Sequence, residues 1–254
     1  MIESTCAVFL THAQRCLFSA YPFVMNKNPL RTLTWFARQF GDRPVIMDSG
    51  LFTFFRDARQ RGSDPSRKFC DAYFERYKRV LSLIPDHWLV VEFDTHAFDV
   101  EVEPYRKWIA DSGYADRTIH VWHSQDGQSA FPLYYERFRR VGFSQEGLER
   151  DGKGNAALDK MLASTRKVRE GRHTHILGTA KERLFAKCHD GFSADATTWT
   201  NIAIYGETRC GPERVKYDAK SKKITGPQEI IYAVNLSLPK MMNYYRDHPK
   251  HTRK

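Results

Sequence analysis

The chain has 254 residues, 41% of them hydrophobic and 13% aromatic, which supplies enough apolar surface for a core and excludes a disordered chain. Forty Lys+Arg against 30 Asp+Glu leave a formal net charge of +10, an excess that favours a polyanionic partner, nucleic acid above all. The sequence holds no run of 18 apolar residues, so no membrane partner is expected.

In chain order, Cys6 to Leu10 is a compact β-type run. Leu30, Leu33, Phe36 and Phe40 step at three- and four-residue intervals, which predicts a helix over 28–40. Arg43 to Asp48 is a short buried strand running into a Ser49-Gly50 turn. Ser63 or Asp64 caps the next helix, with Pro65 in its first turn and Phe69, Tyr73, Tyr77, Val80 and Ile84 on one face. Trp88 to Asp94 and Thr118 to His123 are further strands, and Arg137 to Phe143 is another. Residues 147–154 are polar and loop-like, and 156–169 read as a basic helix. Thr174 to Gly178 is a strand, 180–189 a helix, and Phe192 to Asp195 a strand. Then come a basic segment near 213–225, an apolar run over 230–238 and a polar C-terminal tail.

This strand–helix alternation predicts βαβ units and a parallel sheet. Near-continuous apolar strands fit a sheet covered on both faces. No G-x-G-x-x-G follows the first strand, which sets aside the common dinucleotide-binding form of an open doubly wound sheet. The expected fold is an α/β (β/α)8 TIM-type barrel, a single domain over 1–254, with active-site residues at the C-terminal strand ends. Cys6, Cys16, Cys70, Cys188 and Cys210 are scattered and form no C-x-x-C pair. Free thiols in a cytoplasmic protein are therefore expected, with no metal and no cofactor. The first residues, MIESTCAVFLTHAQR, do not read as a signal peptide.

Three strands end alike, in an apolar run, then Asp, then small or polar residues: Asp48 in MDSGLF, Asp94 in EFDTH and Asp195 in FSADATTW. A carboxylate at the end of a buried strand needs a partner or a chemical task. One such residue usually caps the following turn, but three on parallel strands would converge on one mouth. Paired carboxylates suit glycosidic chemistry, one attacking or stabilising the anomeric carbon while the other moves the leaving group's proton. The N-glycosidic bond of a nucleotide is open to the same chemistry. Gly50 lets the backbone approach a ligand closely. Phe52 either stacks on a planar ring or packs in the core. In HVWHSQDG, His123 and Gln125 are placed to hydrogen-bond a substrate edge, while His120 and Trp122 belong to the barrel wall. His12, at the end of the first run, stands in a position like that of His123, and a metal held by His12, His123 and carboxylates is the weaker alternative.

The Asp48-Ser49-Gly50-Leu51-Phe52 turn forms one motif, and the spaced set Gly178-Thr179, Gly191-Phe192, Asp195, Thr200, Ala203 and Gly206 forms another. Together they resemble the tRNA-guanine transglycosylase superfamily, above all its short phage and bacterial members that place 7-deazaguanines in DNA. The resemblance implies that Asp195 attacks C1′ and displaces guanine, leaving a covalent sugar–enzyme intermediate. It implies that Asp48 is the general acid/base, that Asp94 and Gln125 read the purine edge, and that Phe52 stacks on the base. Gly142, in RVGFSQEG, stands nearest to the family's G-G-L motif.

Two departures matter. The family's C-x-C-x-x-C…H zinc site is missing, and Trp199 and Asn201 stand in the stretch that holds a Pro and an Arg after the nucleophile. Both point away from tRNA and toward DNA. The implied partners are nucleic acid and a free 7-deazaguanine base, with the target nucleotide flipped out of its stack. Arg166, Lys167, Arg169, Arg172 and the basic residues from Lys216 to Lys223 either hold phosphates or form a solvated face. The alternatives are an N-glycoside hydrolase using the same carboxylates, a tRNA-guanine transglycosylase, and a non-catalytic nucleic-acid-binding barrel.

Overall fold

The computed structural model describes residues 16–63, 66–127, 129–144, 172–178, 192–194, 207–210 and 213–216. The chain divides into two compact units, residues 15–142 and a second made of 1–14 with 143–254. No helix among the described residues is long and apolar enough to cross a membrane.

The first unit is an α/β layer structure. Strands β1 (Cys16–Ser19), β2 (Val45–Asp48), β3 (Leu89–Val91) and β4 (Thr118–Trp122) lie side by side in chain order. All are parallel, with Ser19 opposite Asp48, Met47 opposite Val90 and Val91 opposite Ile119. β5 (Arg140–Ser144) is the next strand beyond β4. The helices are α1 (Tyr21–Val24), α2 (Pro29–Phe40), α3 (Leu51–Gln60), α4 (Arg67–Leu81), α5 (Glu103–Asp111) and α6 (Ala130–Arg137). In the second unit, β6 (His173–Leu177) pairs in parallel with β7 (Phe192–Ala194). β8 (Glu207–Cys210) and β9 (Glu213–Lys216) form an antiparallel pair.

Among the described residues the closed (β/α)8 barrel is not formed. No described strand pairs with the outer side of β1. The β8–β9 pair also departs from the strand–helix repeat that a barrel requires. The α/β class stands, but with an open parallel sheet. The physical reason is that apolar strands covered by helices read the same whether or not a sheet closes. Closure depends on the stagger between neighbouring strands, which no local pattern records.

α2 forms where its apolar spacing puts it. Pro29 sits at its first turn, Leu33, Phe36 and Phe40 are buried, and Gly41 at φ 53 ends it. α4 begins one turn later than Ser63 or Asp64 would place it. Its cap is Ser66, whose hydroxyl accepts the Phe69 N–H at 3.4 Å. The N–H of Ser63 turns back instead to the Ala58 carbonyl and closes α3. The predicted run 6–10 lies outside the described residues, and the first described strand is Cys16–Ser19.

Aromatic rings fill the core. Phe18 packs on Phe36 at 4.5 Å between centroids, and Phe36 stacks on Phe40 at 4.8 Å. Further along the core, Phe74 contacts Phe93 at 4.7 Å and Tyr105 at 4.8 Å. Cys70 lies in this layer, fully buried, and burial pushes its thiol up to about 11. Peptide mass spectrometry after alkylation of the native protein at pH 8 is expected to find Cys70 unmodified, and modified once urea is added. Native labelling of Cys70 would contradict this packing.

Candidate active site

The DSGLF segment is a strand-to-helix turn that glycine makes possible. Asp48 ends β2, and its carbonyl accepts the Ala20 N–H at 2.7 Å. Its carboxylate Oδ2 accepts the Gly50 N–H at 3.2 Å. Gly50 caps α3 in the left-handed region, at φ 74. A Cβ there would stand 2.5 Å from the Tyr21 backbone nitrogen and 2.6 Å from Ser19 Oγ. Ser49 is buried, and its carbonyl accepts the Tyr73 hydroxyl at 2.9 Å. From the same helix face the Tyr77 hydroxyl donates to the Val91 carbonyl at 3.4 Å, so α4 ties down the ends of β2 and β3 together. Phe52 is 69% exposed while Leu51 and Phe55 beside it are buried, so its ring is not part of the core.

The second half of the site lies past β3 and β4. The Asp94 carboxylate holds His123, whose Nε2 is 2.8 Å from both carboxylate oxygens. It also accepts the His96 N–H at 3.3 Å. The rings of His96 and His123 stack with centroids 5.0 Å apart. His96 Nδ1 stands 3.7 Å from Asp94 Oδ1 and is buried without a hydrogen bond, while Nε2 of the same ring is 3.6 Å from Asp126 Oδ1. Gln125 is exposed, and its amide donates to the His96 carbonyl at 3.1 Å. Burial alone would raise the Asp94 carboxyl, but its bonds from His123 and His96 outweigh that and hold it at about 2. For His123, burial lowers the imidazole and the bond to Asp94 more than reverses this, so it lies above its ordinary value.

Beneath this mouth is a buried ionic node. Glu92 is fully buried, and Arg106 grips it with Nε and Nη2, each at 2.8 Å. The Val121 N–H donates to Glu92 at 2.7 Å, and His120 Nδ1 lies 2.9 Å from it. Burial pushes Glu92 up, but Arg106 and His120 more than offset it and keep the carboxyl below its ordinary value. Arg106 also donates to the Tyr134 hydroxyl at 3.2 Å, and that hydroxyl donates to Asp126 at 3.0 Å. A continuous polar chain therefore runs from the middle of the sheet to Asp126, beside His96.

Comparison with protein-family models and with curated proteins finds no match. Of the residues singled out from sequence, Asp94, His123 and Gln125 come together, and Asp48 and Asp94 leave adjacent parallel strands at the same end. His120 and Trp122 are buried in the wall. Gly142 lies within β5, and Gly178 follows β6 at φ 71. Asp195 lies outside the described residues, with Thr179, Gly191, Thr200, Ala203, Gly206, His12, Arg166, Lys167 and Arg169. His96, Asp126, Glu92 and Arg106 are additions that sequence reasoning missed. The one available signal was the His that follows Asp-Thr in EFDTH.

Proposed function

We propose that the protein is a base-exchange glycosyltransferase that replaces guanine in nucleic acid, DNA ahead of tRNA, with a 7-deazaguanine through a covalent aspartyl–sugar intermediate. The observation that supports this reading best is the pair of carboxylates, Asp48 and Asp94, at the same end of the adjacent parallel strands β2 and β3. The exposed ring of Phe52 stands in the first turn of the helix that follows, available to a flipped purine.

In the first half-reaction the Asp195 carboxylate bonds to C1′ as the C1′–N9 bond breaks. The electron pair goes to the purine, and protonated Asp48 supplies the proton that releases neutral guanine. In the second half-reaction Asp48 takes the N9 proton of the incoming 7-deazaguanine. N9 then attacks C1′ and frees Asp195. Asp94, with His123 and Gln125 around it, meets the hydrogen-bonding edge of the base. Such an exchange belongs in the cytoplasm, where nucleic acid and free base meet.

Mass spectrometry of nucleosides tests this directly. Cells expressing the protein and supplied with a 7-deazaguanine are expected to carry the modified nucleoside in DNA, and cells expressing Asp195→Asn to carry none. The wild-type protein alone should leave a covalent nucleic-acid adduct on denaturing gels. Full exchange by Asp195→Asn would remove the nucleophile assignment. Guanine release without replacement would favour the hydrolase. Modified nucleoside in tRNA but not in DNA would reverse the choice of substrate.

A further inference from the structure

Asp94, His96 and His123 each offer one ligand atom, and these atoms lie within 4.8 Å of one another. Two imidazole nitrogens and one carboxylate oxygen are a donor set suited to zinc, iron(II), manganese and cobalt, with coordination positions left open. The most telling atom is His96 Nδ1. It is buried, makes no hydrogen bond and faces the Asp94 carboxylate at 3.7 Å. An imidazole nitrogen and a carboxylate oxygen at this separation leave room for a cation that both would bind.

The far side of the same ring is prepared for that role. Asp126 Oδ1 stands 3.6 Å from His96 Nε2, near enough to accept its proton when the ring turns to bind an ion through Nδ1. A carboxylate behind an imidazole in this way fixes the tautomer and orientation of a metal-binding histidine. Asp126 is itself held by the Tyr134 hydroxyl at 3.0 Å and the His123 N–H at 3.2 Å. Metal–ligand bonds of about 2.1 Å put neighbouring ligand atoms roughly 3 Å apart. The trio must therefore tighten by on the order of 1 Å, which side-chain rotation supplies. Asp94, His96 and His123 are 24%, 18% and 19% exposed, so an ion can enter from solvent.

We infer that Asp94, His96 and His123 form a binding site for a divalent transition-metal ion, with Asp126 as the residue that orients His96. This departs from the sequence expectation of no metal and does not depend on the base-exchange reading; with an ion bound, Asp94 and His123 hold the ion in place of the base edge.

The full-length protein is titrated with Co²⁺ and followed by its visible d–d absorption and by paramagnetically shifted proton NMR. One equivalent is expected to bind, with shifted ring signals from two histidines. His96→Ala, His123→Ala and the shape-preserving Asp94→Asn should each weaken binding at least tenfold, with far-ultraviolet circular dichroism unchanged. Wild-type protein that binds no Co²⁺, or a complex without two histidine ring signals, overturns the site whatever the variants do. Variants that bind as the wild type does also overturn it. Base exchange is measured separately. Exchange without Co²⁺ binding removes the metal site alone, and Co²⁺ binding without exchange removes the base-exchange reading alone.

Discussion

Glu92→Ala is expected to destabilise the first unit by about 3–5 kcal/mol, the usual result of removing one partner of a buried ion pair. In the native protein Arg106 is 6% exposed and gives Glu92 two hydrogen bonds of 2.8 Å. Deleting the carboxylate leaves that guanidinium buried with Glu103, at 3.0 Å on the rim, as its one counter-charge among the described residues. It also strips the Val121 N–H and His120 of their acceptor. The loss is a large fraction of the roughly 5–15 kcal/mol that holds a typical domain folded. Urea denaturation followed by tryptophan fluorescence measures it. The double variant Glu92→Met/Arg106→Met is expected to recover most of the loss, because well-packed apolar pairs often replace buried ion pairs without penalty. It would still break the link through Tyr134 to Asp126, so its stability and any activity should part company. A Glu92→Ala variant within about 1 kcal/mol of wild type would mean that Arg106 finds another partner, and the node would not be structural.

Much of the strand layout could be read directly. β2, β3 and β4 are apolar runs ending in polar residues, a pattern expected of strands buried on both faces, and Asp48, Asp94 and His123 follow from it. What could not be read is long-range. Arg106 reaches Glu92 across 14 residues of chain, and His96 meets His123 only because β3 lies next to β4. Sheet closure is of the same kind, since no segment of sequence encodes the stagger. Local competition hid the rest. Ser63 and Ser66 both precede the α4 apolar face, and the choice went to the residue whose hydroxyl reaches a free helix N–H. Phe52 was ambiguous for a similar reason, because Leu51, Phe52, Phe54 and Phe55 crowd one helix, and only the direction of its entry decides which ring is outside. That entry is fixed by Gly50.

Gly50→Ala is therefore expected to cost about 3 kcal/mol or more of stability, and at least a hundredfold of whatever activity Asp48 supports. Part of this is backbone strain. At φ 74 any residue other than glycine stores on the order of 1–2 kcal/mol. The larger part is collision. The new Cβ would sit 2.5 Å from the Tyr21 nitrogen and 2.8 Å from Tyr21 Cβ, and backbone atoms cannot swing aside as a side-chain tip can. The end of β1 and the Asp48 turn must then move apart. That move threatens the Ala20 N–H to Asp48 carbonyl bond at 2.7 Å and the Gly50 N–H to Asp48 Oδ2 bond at 3.2 Å. A shift of about 1 Å in a group that handles a proton is enough for a loss near a hundredfold. Gly62→Ala separates the two contributions, because Gly62 has φ 75 with nothing within 4 Å of a built Cβ. That variant carries the strain without the collision and should lose only about 1–2 kcal/mol. Thermal and urea unfolding of both proteins give the comparison, and equal losses at the two positions would show that the turn tolerates the added carbon, leaving Asp48 unconstrained by Gly50.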